Sequence, residues 1–183
     1  LLASNVNDTY VGSGGFGYTD ELPVTGADGK VHPANMWGFL ESQETLSISP
    51  SMFAEFIYPY QKPLLERFGL NCYGCCEPID KRWHVIKDTK NLRRVSVSAW
   101  ADKEKMAENL NQRFIYSYKP RATPLAMHDM DEKSVRSELT EVLEKAQGCR
   151  VEFIMKDNNT LGNNPENVVK WCRIAHELVD RLW

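Results

Sequence analysis

From Met36 onward, short apolar runs alternate with stretches whose apolar residues return every three or four positions, the mark of strands interleaved with amphipathic helices. Met36 to Leu40 reads as a strand ending on Glu41. Ser49 then supplies a cap and Pro50 a first helical position. Phe53, Phe56, Ile57, Tyr60, Leu64 and Phe68 follow at helical spacing, with kinks expected at Pro59 and Pro63. Leu70 to Tyr73 is the next strand and Asp80 to Lys87 the next helix. Leu92 to Ala99 alternates as a strand, Asp102 caps a helix through Leu110, and Phe114 to Tyr118 runs as a strand into Lys119 and Pro120. Val135, Leu139, Val142, Leu143 and Ala146 make one helical stripe closed by Gly148. Val151 to Met155 is the last strand, and Asn164-Pro165 opens a helix with Val168, Cys172, Ala175, Val179 and Leu182 on one face.

Residues 1–35 have a different texture, rich in Gly, Asn, Asp and Pro, and read mostly as loop. Gly12, Gly14, Gly15 and Gly17 do not form a phosphate loop, because Tyr18 to Pro23 opens no amphipathic helix behind them. Beyond them, strand then helix repeats about five times, with crossovers long enough for parallel pairing, so the chain is α/β. A doubly wound sheet and part of a (β/α)8 barrel both satisfy that pattern. At 183 residues there is room for one well-buried core.

Charge narrows the partners. The formal net charge is −3 and Lys and Arg are scattered, so there is no footprint for nucleic acid or an anionic membrane; a small molecule or another protein is expected. No apolar run approaches the roughly 20 residues of a membrane helix. The amino end, Leu1-Leu2-Ala3-Ser4-Asn5, lacks a basic region and a cleavage motif. Five cysteines, three of them crowded, fit a reducing compartment, and the cytoplasm is the expected location. The chain opens without Met, and the expectation is the carboxyl part of something longer.

In either architecture the chemistry lies at the carboxyl ends of the strands. Reading the residues there gives Glu41 and Glu44; then Cys72, Cys75, Cys76 and Glu77; then Ser98, Trp100 and Asp102; then Lys119 and Arg121; then Lys156, Asp157, Asn158 and Asn159. Three sulfurs and a carboxylate are zinc-ligand types at zinc-ligand spacing. Burial as small hydrophobes competes with that reading, and so does a redox pair of Cys72 with Cys75. Cys149 and Cys172 read as structural, Cys172 as core. His84 and His176 fall on helices and His32 and His128 in loops, where a solvated or locally bonded ring is the expectation. Lys119 and Arg121 suit a substrate carboxylate or phosphate, or are a solvated pair beside the turn at Pro120. Glu152, pointing into a barrel, would need a partner.

Some of these pieces resemble a known family. Ser49-Pro50-Ser51-Met52-Phe53 through Phe56-Ile57-Tyr58-Pro59-Tyr60 is similar to the Ser-Pro-x-x-Phe…Phe…Pro-Tyr helix of the uroporphyrinogen decarboxylase superfamily. That group includes corrinoid- and coenzyme-M-linked methyltransferases and is similar to the catalytic domain of cobalamin-independent methionine synthase. Val95-Ser96-Val97-Ser98, Phe114 to Pro120, and Asn164-Pro165-Glu166-Asn167-Val168 resemble its later strands and final helix. Cys72 to Cys76 occupies the place where the methyltransferases carry a His-x-Cys-Gly zinc motif.

The resemblance implies the carboxyl-terminal part of a TIM barrel and a zinc-activated methyl transfer, the methyl group coming from a corrinoid on a partner protein or from a pterin. Zinc would then be held by Cys72, Cys75, Cys76 and Glu77, with Glu77, Lys119 and Asp157 as catalytic candidates. Glu41, Trp100, Arg121 and Asn158 would bind substrate. The motif's His is absent, and Lys156 to Asn159 stand where the second zinc Cys is expected. Tetrapyrrole decarboxylation, which needs no metal, is one alternative; a non-catalytic fragment, completed by an amino-terminal half or another copy, is the other.

Overall fold

The computed structural model describes residues 21, 22 and 24–183, so the glycine cluster at 12–17 and the amino terminus lie outside the described residues. Five strands form the framework: β1 (Trp37–Leu40), β2 (Leu70–Tyr73), β3 (Leu92–Ser98), β4 (Ile115–Lys119) and β5 (Arg150–Phe153). They make one parallel sheet in the order β1-β2-β3-β4-β5. Because the order never reverses, the sheet shows no switch point of the doubly wound kind among the described residues. The connecting helices are α1 (Pro50–Phe56), α2 (Tyr58–Leu65), α3 (Trp83–Ile86), α4 (Lys103–Leu110), α5 (Thr123–Ala126), α6 (Glu132–Lys145) and α7 (Glu166–Leu182).

Local chemistry sets the helix starts. Ser49 Oγ accepts from the Met52 amide at 3.1 Å, Asp102 Oδ1 from Lys105 at 3.0 Å and Asp131 Oδ1 from Ser134 at 3.0 Å, each satisfying an amide that the first turn leaves orphaned. Gly148, at φ +82°, ends the turn after α6 in the left-handed region that its lack of Cβ permits.

Alternation along the strands sorts their side chains between two faces. Tyr73, Val95, Val97, Tyr116 and Tyr118 pack with Phe53, Leu65, Ile86, Met106, Leu110 and Val142 from the helices, so α1 to α4 and α6 cover the same side of the sheet. A second cluster joins α5, α6 and α7 through Leu125, Leu139, Trp171, Ile174 and Leu178.

The opposite face is polar. Cys72 pairs in register with Arg94, Ser96 with Ser117, and Ser117 with Glu152. Arg94 grips Glu152 with Nε and Nη2, the latter at 3.0 Å, and lies over the Trp37 ring at 5.2 Å. The pair spans β4, where Ile115 stands in register with Arg94 and Ser117 with Glu152. The buried hydroxyls of Ser96 and Ser117 make no hydrogen bond among the described residues.

Three expectations change. The first helix is two helices, broken at Ile57, because Pro59 in the first turn of α2 has no amide to continue the ladder. That break turns Phe56, Tyr60 and Leu64 outward and leaves Phe53, Tyr58 and Leu65 inside. The helix expected at 80–87 is the single turn α3, preceded by a turn in which the Arg82 amide donates to the Ile79 carbonyl. On α7 the buried face is Asn167, Trp171, Ile174, Ala175 and Leu178, and Cys172 is exposed. Trp171, with more area to bury than a thiol, sets the inward direction, and its i+3, i+4 and i+7 neighbours follow it.

Removing the carboxylate from the Arg94–Glu152 pair leaves a buried guanidinium with less to offset its desolvation. Glu152→Ala is therefore expected to cost about 3 kcal/mol in urea unfolding. The double exchange Arg94→Met with Glu152→Leu, which removes both charges, should cost less than the single variant does.

Candidate functional site

The exits of β1 and β2 are laced together. The Gly74 amide donates to the Leu40 carbonyl at 2.9 Å. Gly74 holds φ +93°, and a Cβ there would meet Ser96 Cβ at 3.2 Å, so the turn is both left-handed and tight against β3. Three residues on, the fully buried Glu77 accepts the Ser42 amide on Oε1 at 2.9 Å and the Cys75 amide on Oε2 at 2.8 Å. Arg82 braces the same segment: Nη1 donates to Ser42 Oγ and Thr45 Oγ1, each at 3.2 Å, Nη2 reaches the Thr45 and Ile48 carbonyls, and the guanidinium lies over Phe53.

This bracing sets a row of reactive side chains across the strand ends. Cys75 Sγ and Cys76 Sγ are 3.5 Å apart and half-buried. The Glu41 carboxylate at the end of β1 lies within interaction range of the Cys75 thiol, its Oε2 buried without a hydrogen-bond partner among the described residues, and the Lys156 ammonium beyond β5 faces the Cys76 sulfur and pairs with Asp157. The row therefore runs Glu41, Cys75, Cys76, Lys156, Asp157. Burial, and then the charges of Glu77 and Glu44, raise the Glu41 pKa above the ordinary carboxylate value. For Lys156 burial works against the charge, but Asp157 and Cys76 outweigh it and its pKa stands above the ordinary lysine value.

Cys76 and Lys156 open onto a cavity of about 510 Å³ walled also by Ser98, Trp100, Arg121 and Met127. Trp100 is 74% exposed at its mouth. Glu138 seats Arg121: Oε1 accepts its backbone amide at 3.2 Å and the Tyr118 hydroxyl at 2.8 Å, and lies 3.6 Å from Arg121 Nε. Behind the cavity, the buried amide nitrogen of Asn167 donates to the Met127 carbonyl at 2.9 Å and the Leu161 carbonyl at 3.0 Å, tying the wall to α7. Gly162 passes so close beneath that a Cβ would meet the Met127 carbonyl oxygen at 2.2 Å.

The candidates from sequence separate accordingly. Cys76, Trp100, Arg121 and Asp157 meet at the cavity, with Glu41 and Cys75 behind Cys76. Asn158 lies with Asp157 in a neighbouring hollow of about 250 Å³. Glu77 is a fastener whose two oxygens are both engaged by amides. Lys119 is the last residue of β4 and wholly buried, so it does not open on the cavity; Asp102 is occupied as the α4 cap, and Glu44 is exposed.

Among the described residues, no three His, Cys, Asp or Glu side chains are grouped so as to hold a metal ion. The set Cys72, Cys75, Cys76 and Glu77 does not fit zinc as it stands. Glu77 is committed to amides, and Cys72 is a fully buried thiol whose pKa burial pushes up to about 12, despite the opposing charges of Arg94 and Lys119. The close sulfur pair is Cys75 with Cys76. Lys156 is the residue whose role the sequence hid: it belonged to the strand-end list, but its signal was only its place three residues beyond β5.

A thiol reagent added to the native chain is expected to modify Cys75, Cys76 and Cys172, and to reach Cys72 and Cys149 only on unfolding. The raised Cys72 pKa gives the folded chain a proton that the unfolded chain gives up first. Its contribution to stability is complete below the ordinary 9.0 and is lost as pH rises toward about 12. Denaturant titrations across that range should show a decline that is shallower in Cys72→Ala.

Among the described residues, no helix is long and apolar enough to cross a membrane. No family model, curated protein or solved structure matches this chain.

Proposed function

We propose that this chain is the carboxyl-terminal part of a (β/α)8 barrel of the uroporphyrinogen decarboxylase-like kind, and that it carries a methyl-transfer site for an anionic small molecule. Three features support the barrel reading: parallel strands in sequential order, helices on one side of the sheet, and a polar opposite face like a barrel interior. The observation that carries the functional reading is the Cys76 sulfur at the cavity wall, held against the Lys156 ammonium and near Arg121.

In this reading Cys76 is the nucleophile. Its proton passes to Cys75 as Cys75 gives its own to Glu41, and Lys156 balances the charge on the sulfur. A bond forms between Sγ and the methyl carbon while the bond from methyl to donor breaks, and the electron pair leaves with the donor. Arg121 offers its guanidinium to a carboxylate of the small molecule, and Trp100 a flat surface at the mouth. A corrinoid on a partner protein is one donor able to supply such a methyl group. Zinc enters no step, since the four residues do not form its site.

One observation favours a second reading, decarboxylation. Glu41, whose pKa is raised by burial, is a proton source behind a cavity that also holds Arg121 and Lys156 for carboxylates.

Incubation of the chain with methyl-labelled methylcobalamin, followed by peptide mass mapping, tests the first reading. Label is expected on Cys76, absent in Cys76→Ser and reduced at least about tenfold in Lys156→Met. Label on no cysteine would sink methyl transfer. Carbon dioxide released from a tetrapyrrole tetra-acid would establish decarboxylation instead.

A further inference from the structure

We propose that Cys75 and Cys76 are a reversible oxidation site, closing a disulfide between adjacent residues with a hydroperoxide and reopening with a dithiol. The proposal deepens the functional reading, since closure would remove the nucleophile that reading assigns. Its evidence, however, is the geometry of the thiols. Their sulfurs already stand 3.5 Å apart, so little movement separates them from a bond of about 2.05 Å. Both are half-buried at the strand ends, and Cys76 lines the cavity, which admits a small peroxide. The Cys75 amide is pinned to Glu77 at 2.8 Å, which holds the backbone of the pair in place.

The flanking groups supply what each step needs. Cys76, as thiolate beside the Lys156 ammonium, attacks one peroxide oxygen; an S–O bond forms, the O–O bond breaks, and hydroxide or alkoxide leaves and takes up a proton. Cys75 then attacks the Cys76 sulfur of the sulfenic acid, passing its thiol proton to Glu41. The S–S bond forms, the S–O bond breaks, and the oxygen departs as water once protonated. In total two thiols and one hydroperoxide give one disulfide, water and a second water or alcohol. Adjacent residues have Cα atoms only about 3.8 Å apart, short of the roughly 4.4–6.8 Å of ordinary disulfides, so the bond is strained and a dithiol reopens it readily.

Oxidation also changes the cavity. The Cys76 sulfur that Lys156 faces becomes part of a neutral disulfide, while the pair of Lys156 with Asp157 remains. The other cysteines act as internal controls: Cys72 and Cys149 are buried away from oxidant, and Cys172 is exposed on α7.

The reduced chain, treated with hydrogen peroxide, alkylated and digested, provides the test. The peptide holding Cys75 and Cys76 is expected to lose two hydrogen atoms in mass, to resist alkylation, and to recover both thiols with dithiothreitol. Cys75→Ser should instead leave a sulfenic acid on Cys76 that a cyclic dione traps, and Lys156→Met should slow oxidation about fivefold. Sulfinic acid on Cys76 of the wild-type chain with Cys75 still alkylated would overturn the proposal, as would a bond to any other cysteine. A chain that closes the bond yet accepts no methyl group upholds this site and sinks the functional reading. A chain that methylates Cys76 but never closes the bond overturns this site alone.

Discussion

The carboxylate of Glu77, buried between the amides of Ser42 and Cys75, fastens the exits of β1 and β2 to one another, and the reactive row depends on that fastening. Two amide donors meeting one carboxylate are a charge-assisted pair, stronger than neutral hydrogen bonds and costly to leave unmade in a buried place. Arg82 completes the arrangement from the other side of Ser42, engaging Thr45 and Ile48 as well. The segment from 41 to 48 is thereby fixed without a strand of its own, and Glu41 is held where Cys75 can reach it.

Much of the fold was legible because the sequence obeys simple periods. The five strands fall within a residue or two of their expected bounds, and Ser49 and Asp102 cap the helices their spacing promised. What failed was direction. On α7 the expected stripe through Val168 and Cys172 competes with one through Trp171 and Ile174, and periodicity alone does not rank them; bulk does. Lys119 shows the same limit in a strand. Placed one step beyond β4 it would have stood at the rim, but as the last residue of β4 it is buried.

The candidate site was legible in its address and less so in its assignments. Glu77 and the cysteines share the ligand types of a metal centre, yet a sequence does not say what a carboxylate's oxygens meet, and here they meet backbone amides. The link from Cys76 to Lys156 joins residues that sequence separates by most of three βα units, and only the parallel order of the sheet brings them together. Such a contact leaves no local trace in either segment.

The amide of Asn167, which holds the cavity wall to the first turn of the last helix, also says where this chain will tolerate alteration. That helix is 17 residues long and ends at Leu182. At 1.5 Å per residue its far end lies about 22 Å from the clamp. An affinity handle or fluorescent fusion appended after Trp183 would thus be remote from the chamber, whereas a spacer or protease site inserted between Lys156 and Asn164 would loosen it. Position 183 is the side from which this chain can be immobilised or labelled without disturbing the cavity wall.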